Sequence, residues 1–212
     1  MPLTLVQTVA PVNPAVLLAD VKRNSNIEYT DDDSYIQNIL VPACSKYMEL
    51  ELRRQLITST WTRTLESFCE LSQPVASQYV SYGSNSSSSI ILPRTPVASV
   101  VSIEYYDTAG VLQTLDSSLY QVDLRSEPAR VKPAPNLTWP ATQSDRFDAV
   151  TITFTAGYGL TSTSIPLELY RAMLVIIGGW YENREAMTES TLKVVPIGIE
   201  NHIQHWKVPT IW

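Results

Sequence analysis

The residues that could support metal chemistry lie in two short stretches. Aspartates occupy positions 31–33, and His202 and His205 stand three residues apart, a spacing that can place two ligands on one face of a helix. Consecutive carboxylates at the start of a helix point in different directions, and no third ligand accompanies the histidines, although a zinc ion takes four. We therefore expect no metal site at either place.

The cysteines and glycines predict no catalytic centre either. Cys44 lies in a helical pattern and Cys69 at the end of a strand pattern, so we expect both to be small buried hydrophobic residues rather than a disulfide or a nucleophile. Gly157 and Gly159 have neither the spacing of a phosphate-binding loop nor the Lys or Ser/Thr that follows it. The residues predict a protein that is not an enzyme and carries no cofactor.

One long helix is predicted over residues 166–186. Pro166 suits the first helical position, and Glu168 complements the positive end of the helix dipole. Residues 172–181 carry no charge, so this helix should be covered on nearly every side, by its own domain or by neighbouring copies of the chain. Gly178 and Gly179 each cost about 1 kcal/mol in a helix interior, which indicates a close backbone approach.

Two shorter helices are expected near the N-terminus. The first covers residues 14–23 and is capped by Asn13. The second covers residues 31–56, where Thr30 and Asp33 resemble a capping box and apolar residues recur at three- and four-residue spacing. Pro42 should kink this helix or mark a break in it.

Residues 57–156 change to a strand pattern. The clearest strand is residues 150–155, where Val150, Ile152 and Phe154 alternate with threonines. Five to seven short strands are expected, separated by turns, by a serine-rich polar loop at 81–89 and by a proline-rich loop at 133–146. Segregated helices and strands indicate an α+β fold.

The predicted organisation is a helical bundle with a small antiparallel β-domain inserted into it. The bundle combines the two N-terminal helices with the long C-terminal one, and residues 13–186 form a single domain. Residues 1–12 and 187–212 are expected to be extended arms. The second arm contains Trp206 and Trp212, which a disordered tail would avoid.

The charge balance limits the possible partners. The formal net charge is −6, and no run of basic residues occurs, which argues against a protein that grips nucleic acid through its phosphates. The N-terminus lacks the positive region of a secretory signal. The uncharged run at 172–181 is half the length needed to span a bilayer, about 20 residues. We expect a protein made in the cytosol or in an assembly built there.

Four stretches carry a family resemblance, and their order and spacing matter more than any single motif. They read TDDDSYIQNIL leading to ELRRQLITSTWTRTL, then VASVVSIEYYDTAGVLQTLDSSLYQVDL, then SEPARVKPAPNLTWPATQSDRFDAVTITFTAGYG, and finally PLELYRAMLVIIGGWYENREA. Over residues 14–187 the chain resembles the head–tail connector (adaptor) proteins of tailed bacteriophages. It departs from the family at Pro42, at the serine-rich loop and in the tail 187–212.

The resemblance implies a structural virion protein of the neck. Members form a ring of about a dozen copies beneath the portal, extend the DNA channel and offer a docking surface to the next neck or tail component. The implied partners are further copies of the chain, the portal protein and a stopper or tail-completion protein. Double-stranded DNA would pass without specific binding, and no membrane takes part. The implied locations are the virion neck and, during assembly, the host cytoplasm.

Site residues follow from the resemblance and from the residue types together. Large aromatic side chains are favoured interface anchors, so the tail 187–212 is expected to dock on the portal. The anchors are Ile203, Trp206 and Trp212. The residues expected to pack in the ring or the core are Ile177, Gly178, Gly179, Trp180 and Tyr181. Loops containing Tyr82 and Trp139 are expected to face the phage tail.

Three alternatives stay open from the sequence. The nearest is another neck or tail-completion protein of the stopper type, which differs in its partner. A small virion-associated hydrolase would need two carboxylates across a cleft, and no such pair can be identified in the sequence. A free-standing binding module of a host cell would be a stable monomer with ordered ends.

Overall fold

The protein folds into two compact units in the computed structural model, which describes residues 4–68, 89–183 and 203–208. Their described parts are residues 4–10, 59–68 and 89–156 for the first, called here the β unit, and residues 11–58, 157–183 and 203–208 for the second, called here the helical unit. The single domain expected over residues 13–186 thus divides between two units. The predicted α+β class is confirmed.

Two antiparallel sheets make up the β unit. One has five strands in the order β1-β2-β8-β4-β5, and the other has three in the order β3-β7-β6. The strands are β1 (Thr4–Val9), β2 (Ser59–Leu65), β3 (Ile90–Ile91), β4 (Val97–Tyr106), β5 (Leu112–Thr114), β6 (Tyr120–Asp123), β7 (Arg130–Pro133) and β8 (Val150–Ala156). All the pairings between these strands are antiparallel, as expected for strands that are not separated by crossover helices.

The N-terminal arm expected over residues 1–12 is a strand over most of its length. β1 pairs with β2, with Val6 opposite Thr62 and Gln7 opposite Trp61. The two prolines of this stretch, Pro2 and Pro11, flank the strand, so every residue within it keeps the N–H that a sheet requires. The six-residue strand was not predicted, because the two prolines were taken to rule out a strand over the whole stretch.

The alternation predicted for residues 150–155 is confirmed. Val150, Ile152 and Phe154 are fully buried, while the threonines between them are half-exposed. β2 alternates in the same way, and its Thr62 pairs with Thr153. One face of the large sheet therefore belongs to a hydrophobic core that includes Ile90 and Val131 of the small sheet, and the opposite face carries hydroxyl groups.

The helical unit contains α1 (Leu18–Asn24), α2 (Asp33–Tyr35), a π-helical turn (Ile36–Leu40), α3 (Val41–Leu52) and α4 (Leu167–Glu182). The first helix begins later than expected, and Asn13 does not cap it, because its side-chain amide donates to the Leu160 carbonyl instead, at 2.8 Å. α4 contacts both α1 and α3. Within the described part of the chain, no helix has the length and apolar character needed to cross a membrane.

The helix expected over residues 31–56 is continuous from Asp33 to Leu52 but not regular. Pro42 cannot donate to a carbonyl one turn earlier, and the wide π turn lies directly before α3, which has Pro42 in its first turn. The predicted capping box is wrong. Asp33 instead forms an ion pair with Lys22 at 2.6 Å. Asp32 is the residue before the helix, and its side chain forms no capping hydrogen bond. α3 ends at Leu52, and the next residue, Arg53, has a left-handed backbone conformation with φ +57°.

Candidate functional site

α4 is the helix around which the core of the helical unit is built. Its buried residues follow helical spacing: Leu169, Ala172, Met173, Ile176 and Ile177. Every residue of the uncharged run 172–181 is buried or half-buried, as predicted, whereas Leu167 and Arg171, which precede this run, are exposed, Leu167 to 80%. Of the predicted packing residues, Ile177 and Gly178 are buried, and Gly179, Trp180 and Tyr181 are half-buried.

Gly178 lies where the end of α1 approaches α4. A Cβ atom at this position would lie 3.1 Å from the Ser25 hydroxyl oxygen and 3.6 Å from the Asn24 side-chain nitrogen. Asn24 also donates to the Leu174 carbonyl at 3.3 Å. The glycine therefore permits a contact between two helices of one unit. Gly179 has another part, since its carbonyl accepts two bonds from Asn183 and so helps to end the helix.

Replacing Gly178 with Leu should destabilise the helical unit by about 1–3 kcal/mol, because the larger side chain must displace the end of α1. Gly178→Ala is the matched control. Its helix propensity favours folding by up to about 1 kcal/mol and offsets the small shift needed at Ser25. Urea unfolding of both variants measures the effect, and a Leu variant as stable as the Ala variant would contradict the close approach.

Trp180 and Tyr181 join the end of α4 to other parts of the helical unit. The Trp180 ring meets the Tyr47 ring edge to face, with centroids 5.9 Å apart. The Tyr181 hydroxyl donates to the Asp32 carboxylate at 2.6 Å, and the Tyr29 hydroxyl lies 2.6 Å away. The bond to Asp32 is the main reason that the pKa of Tyr181 is raised above its ordinary value. Asp32 and Asp33 are thus engaged with separate partners.

The hydrogen bond that the Tyr181 hydroxyl donates should be lost at high pH, and the stability of the helical unit should fall with it. Because its pKa is higher in the folded state, its stabilising contribution is present below the unfolded value, about 10, and is lost as pH rises above it. The stability difference between the natural chain and Tyr181→Phe should therefore be positive at pH 8 and shrink toward zero above pH 10. Urea unfolding across this range tests it, and a constant difference would show that the hydroxyl proton does not matter.

Residues 203–208, called here the C-terminal segment, pack on the helical unit. Ile203 is 4% exposed and belongs to its core, and Val208 is also buried. The Val208 N–H donates to the Leu52 carbonyl at 3.0 Å, which satisfies one of the free carbonyls at the end of α3. The segment is thus held by apolar burial and by main-chain bonding at once.

Trp206 and Lys207 of the C-terminal segment meet polar partners. The Trp206 indole N–H donates to Glu168 at 2.9 Å, and Arg54 donates to the Trp206 carbonyl at 2.5 Å. The Tyr158 ring stands edge-on to the indole, with centroids 6.3 Å apart. Lys207 and Glu51 form an ion pair of 2.5 Å. We call the surface formed by Glu51, Leu52, Arg54, Tyr158 and Glu168 the tail-binding surface.

The predicted portal anchors and tail-facing residues are only partly described. Ile203 and Trp206 come together on the tail-binding surface, whereas Trp212 and Tyr82 lie outside the described residues. Trp139 is half-buried and stacks on Phe68, with centroids 4.6 Å apart and planes 8° from parallel. In the β unit, Trp139 therefore contributes to packing rather than presenting a free ring.

Sequence reasoning missed one exposed aromatic residue and two partners of Trp206. Phe147, at 83% exposed, is the aromatic side chain that the loop before β8 presents to solvent. Its charged neighbours, Arg146 and Asp148, were a signal for exposure. Arg54 and Glu168 were assigned only to a helix surface and a helix dipole, and no local pattern pairs either of them with Trp206.

The metal-ligating and thiol side chains of the described residues can be located. Among residues 4–68, 89–183 and 203–208, no cluster of three His, Cys, Asp or Glu side chains could hold a metal ion. Cys44 is buried as predicted, and burial raises the pKa of its thiol to about 12, so the reactive thiolate is disfavoured. Cys69 lies outside the described residues.

The two units together define a mixed α+β chain. Its fold is shared with chains of solved gene transfer agent (GTA) particles. A chain from the neck of an empty GTA particle, computed with C6 symmetry, has 19% identity and a TM-score of 0.72, and a chain from the virion of the native particle has 19% identity and a TM-score of 0.73. A chain from the neck of the native particle, computed with C12 symmetry, has 20% identity and a TM-score of 0.71.

Each of these likenesses covers 99% of this chain and 97% of the other. At such identities the agreement shows a common fold over the whole chain. No protein-family model matches the chain, and no curated protein matches it.

Proposed function

We propose that this chain is a structural neck protein of a tailed, phage-like particle and acts as the head–tail connector (adaptor) ring beneath the portal. The observation that carries the proposal is the shared fold with neck chains of GTA particles over nearly the full length of both chains. Those necks were computed with C6 and C12 symmetry, which supports a ring built from copies of one chain.

The surface of the helical unit supports contacts between copies. Val12, Leu160 and Leu167 are strongly exposed, and the Asn13 side chain, next to Val12, donates to the Leu160 carbonyl. Large apolar side chains that face solvent are available for contacts with another copy. The exposed side of α4 would contribute to the same contact, while its buried stripe serves the core of its own unit.

The charge of the chain suits a DNA channel. With a net charge of −6, the protein offers few cations to hold phosphates, so double-stranded DNA would slide past without specific binding. The proposed location is the virion neck, reached after assembly in the host cytoplasm. The channel-lining residues would be drawn from neutral and acidic surfaces, of which the threonine face of β2 and β8 is one candidate.

The proposed partners bind through different parts of the chain. Ile203, Trp206 and Trp212 remain the proposed portal anchors, and for the first two this requires that the portal recognises the C-terminal segment as packed or releases it from the tail-binding surface. The stopper or tail-completion protein would meet the loops carrying Tyr82 and Trp139, and we add Phe147 to that surface because of its exposure.

The particle mass of the purified chain, measured by light scattering with negative-stain images of the same sample, is the first test. Rings of about a dozen copies with a central hole are expected. If the chain is a monomer, co-assembly with a portal protein follows, using the full chain and a chain lacking residues 190–212. Failure of the full chain to join a portal ring would contradict the proposal, and binding of a tail component instead would favour the stopper role.

A further inference from the structure

The tail-binding surface recognises its segment through several independent features. Ile203 enters the core, the Trp206 indole and carbonyl meet Glu168 and Arg54, and the Val208 N–H meets the Leu52 carbonyl. Apolar burial, side-chain bonding and main-chain bonding thus hold the segment in one register. A surface of this kind is a docking site for a short peptide whose anchors are an aliphatic side chain and a tryptophan three residues later.

The connection to the segment is long. Residues 183–202 separate α4 from Ile203, and a chain of this length reaches up to about 60 Å when extended. That span exceeds the diameter of a small domain, about 30 Å. The same tail-binding surface on an adjacent copy therefore lies within reach, and docking there would reproduce every contact made within one chain.

We propose that in the assembled ring the tail-binding surface of each copy is filled by residues 203–208 of a neighbouring copy, so that exchanged segments link the ring. This inference rests on the proposed ring, and the partner that fills the tail-binding surface is a second copy of this chain. Exchange of an identical element forms an oligomer at low cost because contacts are conserved rather than created. A ring also holds the neighbouring surface at a high effective concentration.

The ion pair between Lys207 and Glu51 allows a test on the natural chain. Both side chains are part-exposed and 2.5 Å apart, so a zero-length carbodiimide reagent should join them through an amide bond. The amine of Lys207 attacks the activated Glu51 carboxyl, and the reagent leaves as its urea with the carboxyl oxygen. Equal amounts of 14N- and 15N-labelled full-length chain are mixed when dilute, concentrated until assembled, fractionated by size and then crosslinked.

Mass spectrometry of the Lys207–Glu51 crosslinked peptide separates the two arrangements. Exchange predicts that the fraction of peptides with one light and one heavy partner rises from near zero in dilute monomer to about half in the ring. The internal control is the Lys22–Asp33 pair, 2.6 Å apart and only eleven residues apart in sequence, which must stay unmixed in every fraction.

Each result bears on the inference separately from the proposed function. Rings with only unmixed Lys207–Glu51 peptides would overturn exchange and leave the connector proposal standing. Mixed peptides in a closed dimer that never forms a ring would support exchange and contradict the connector proposal. If the chain stays monomeric, the labelled mixture is crosslinked after co-assembly with a portal ring: unmixed Lys207–Glu51 peptides there overturn exchange, and failure to join the portal ring contradicts the connector proposal.

Discussion

Replacing Ile203 with Asp should release the C-terminal segment from the tail-binding surface. The side chain is nearly fully buried in the core of the helical unit, and an unpaired carboxylate there would be strongly unfavourable. We expect the free energy of unfolding to fall by about 3 kcal/mol, mostly through lost burial of an aliphatic side chain and of the bonds that depend on it.

Hydrogen exchange locates the effect. The Val208 amide, bonded to the Leu52 carbonyl, should lose protection by about 100-fold as the segment opens locally. Gln204→Asp is the matched control, because it places the same charge on the adjacent, exposed residue. Equal exchange in both variants would mean that Ile203 does not hold the segment.

The same pair of variants separates two uses of the tail. If the portal binds the segment after its release, Ile203→Asp should expose Trp206 for the portal. Portal binding should then rise if Ile203 is not an anchor, and fall if it is. If the tail-binding surface must be filled for the subunit to be rigid, portal binding and ring formation should fall together. Gln204→Asp should leave both unchanged, because its side chain points to solvent in the docked segment.

Phe154→Ala should destabilise the β unit by about 3–5 kcal/mol, the largest effect expected of any single truncation in this unit. Phe154 is fully buried at the centre of β8, where β2 pairs on one side and β4 on the other. Removing the ring leaves a cavity that neighbours held by two ladders cannot readily fill. The midpoint of urea unfolding, followed by tryptophan fluorescence from Trp61 in the same core, measures the loss.

Thr153→Ala is the control for Phe154→Ala. The threonine precedes Phe154 on the same strand but lies on the half-exposed hydroxyl face, so its loss should cost less than about 1 kcal/mol. Similar losses in the two variants would contradict the assignment of the two faces. Retained ring formation by Thr153→Ala would also show that the Thr153 side chain makes no essential contact between copies.

The elements with a repeating pattern of residue types could be predicted from the amino-acid sequence. Alternation placed Phe154 inward and Thr153 outward, because successive side chains of a strand point to opposite faces. The uncharged run of α4 and its two glycines indicated a central, closely approached helix, since residue type alone limits what such a helix can face. The order and spacing of four stretches carried the family resemblance, and the chain shares its fold with neck chains of GTA particles.

The contacts between side chains of distant segments could not be predicted and became known from the fold. Asp33 could cap its own helix or pair with Lys22, and the position of α1 decided in favour of the ion pair. The pairing of β1 with β2 joins residues more than fifty positions apart, and the bond between Trp206 and Glu168 joins residues thirty-eight apart. Local pattern carries no information about such contacts, because they depend on where the chain returns in space rather than on the residues beside them.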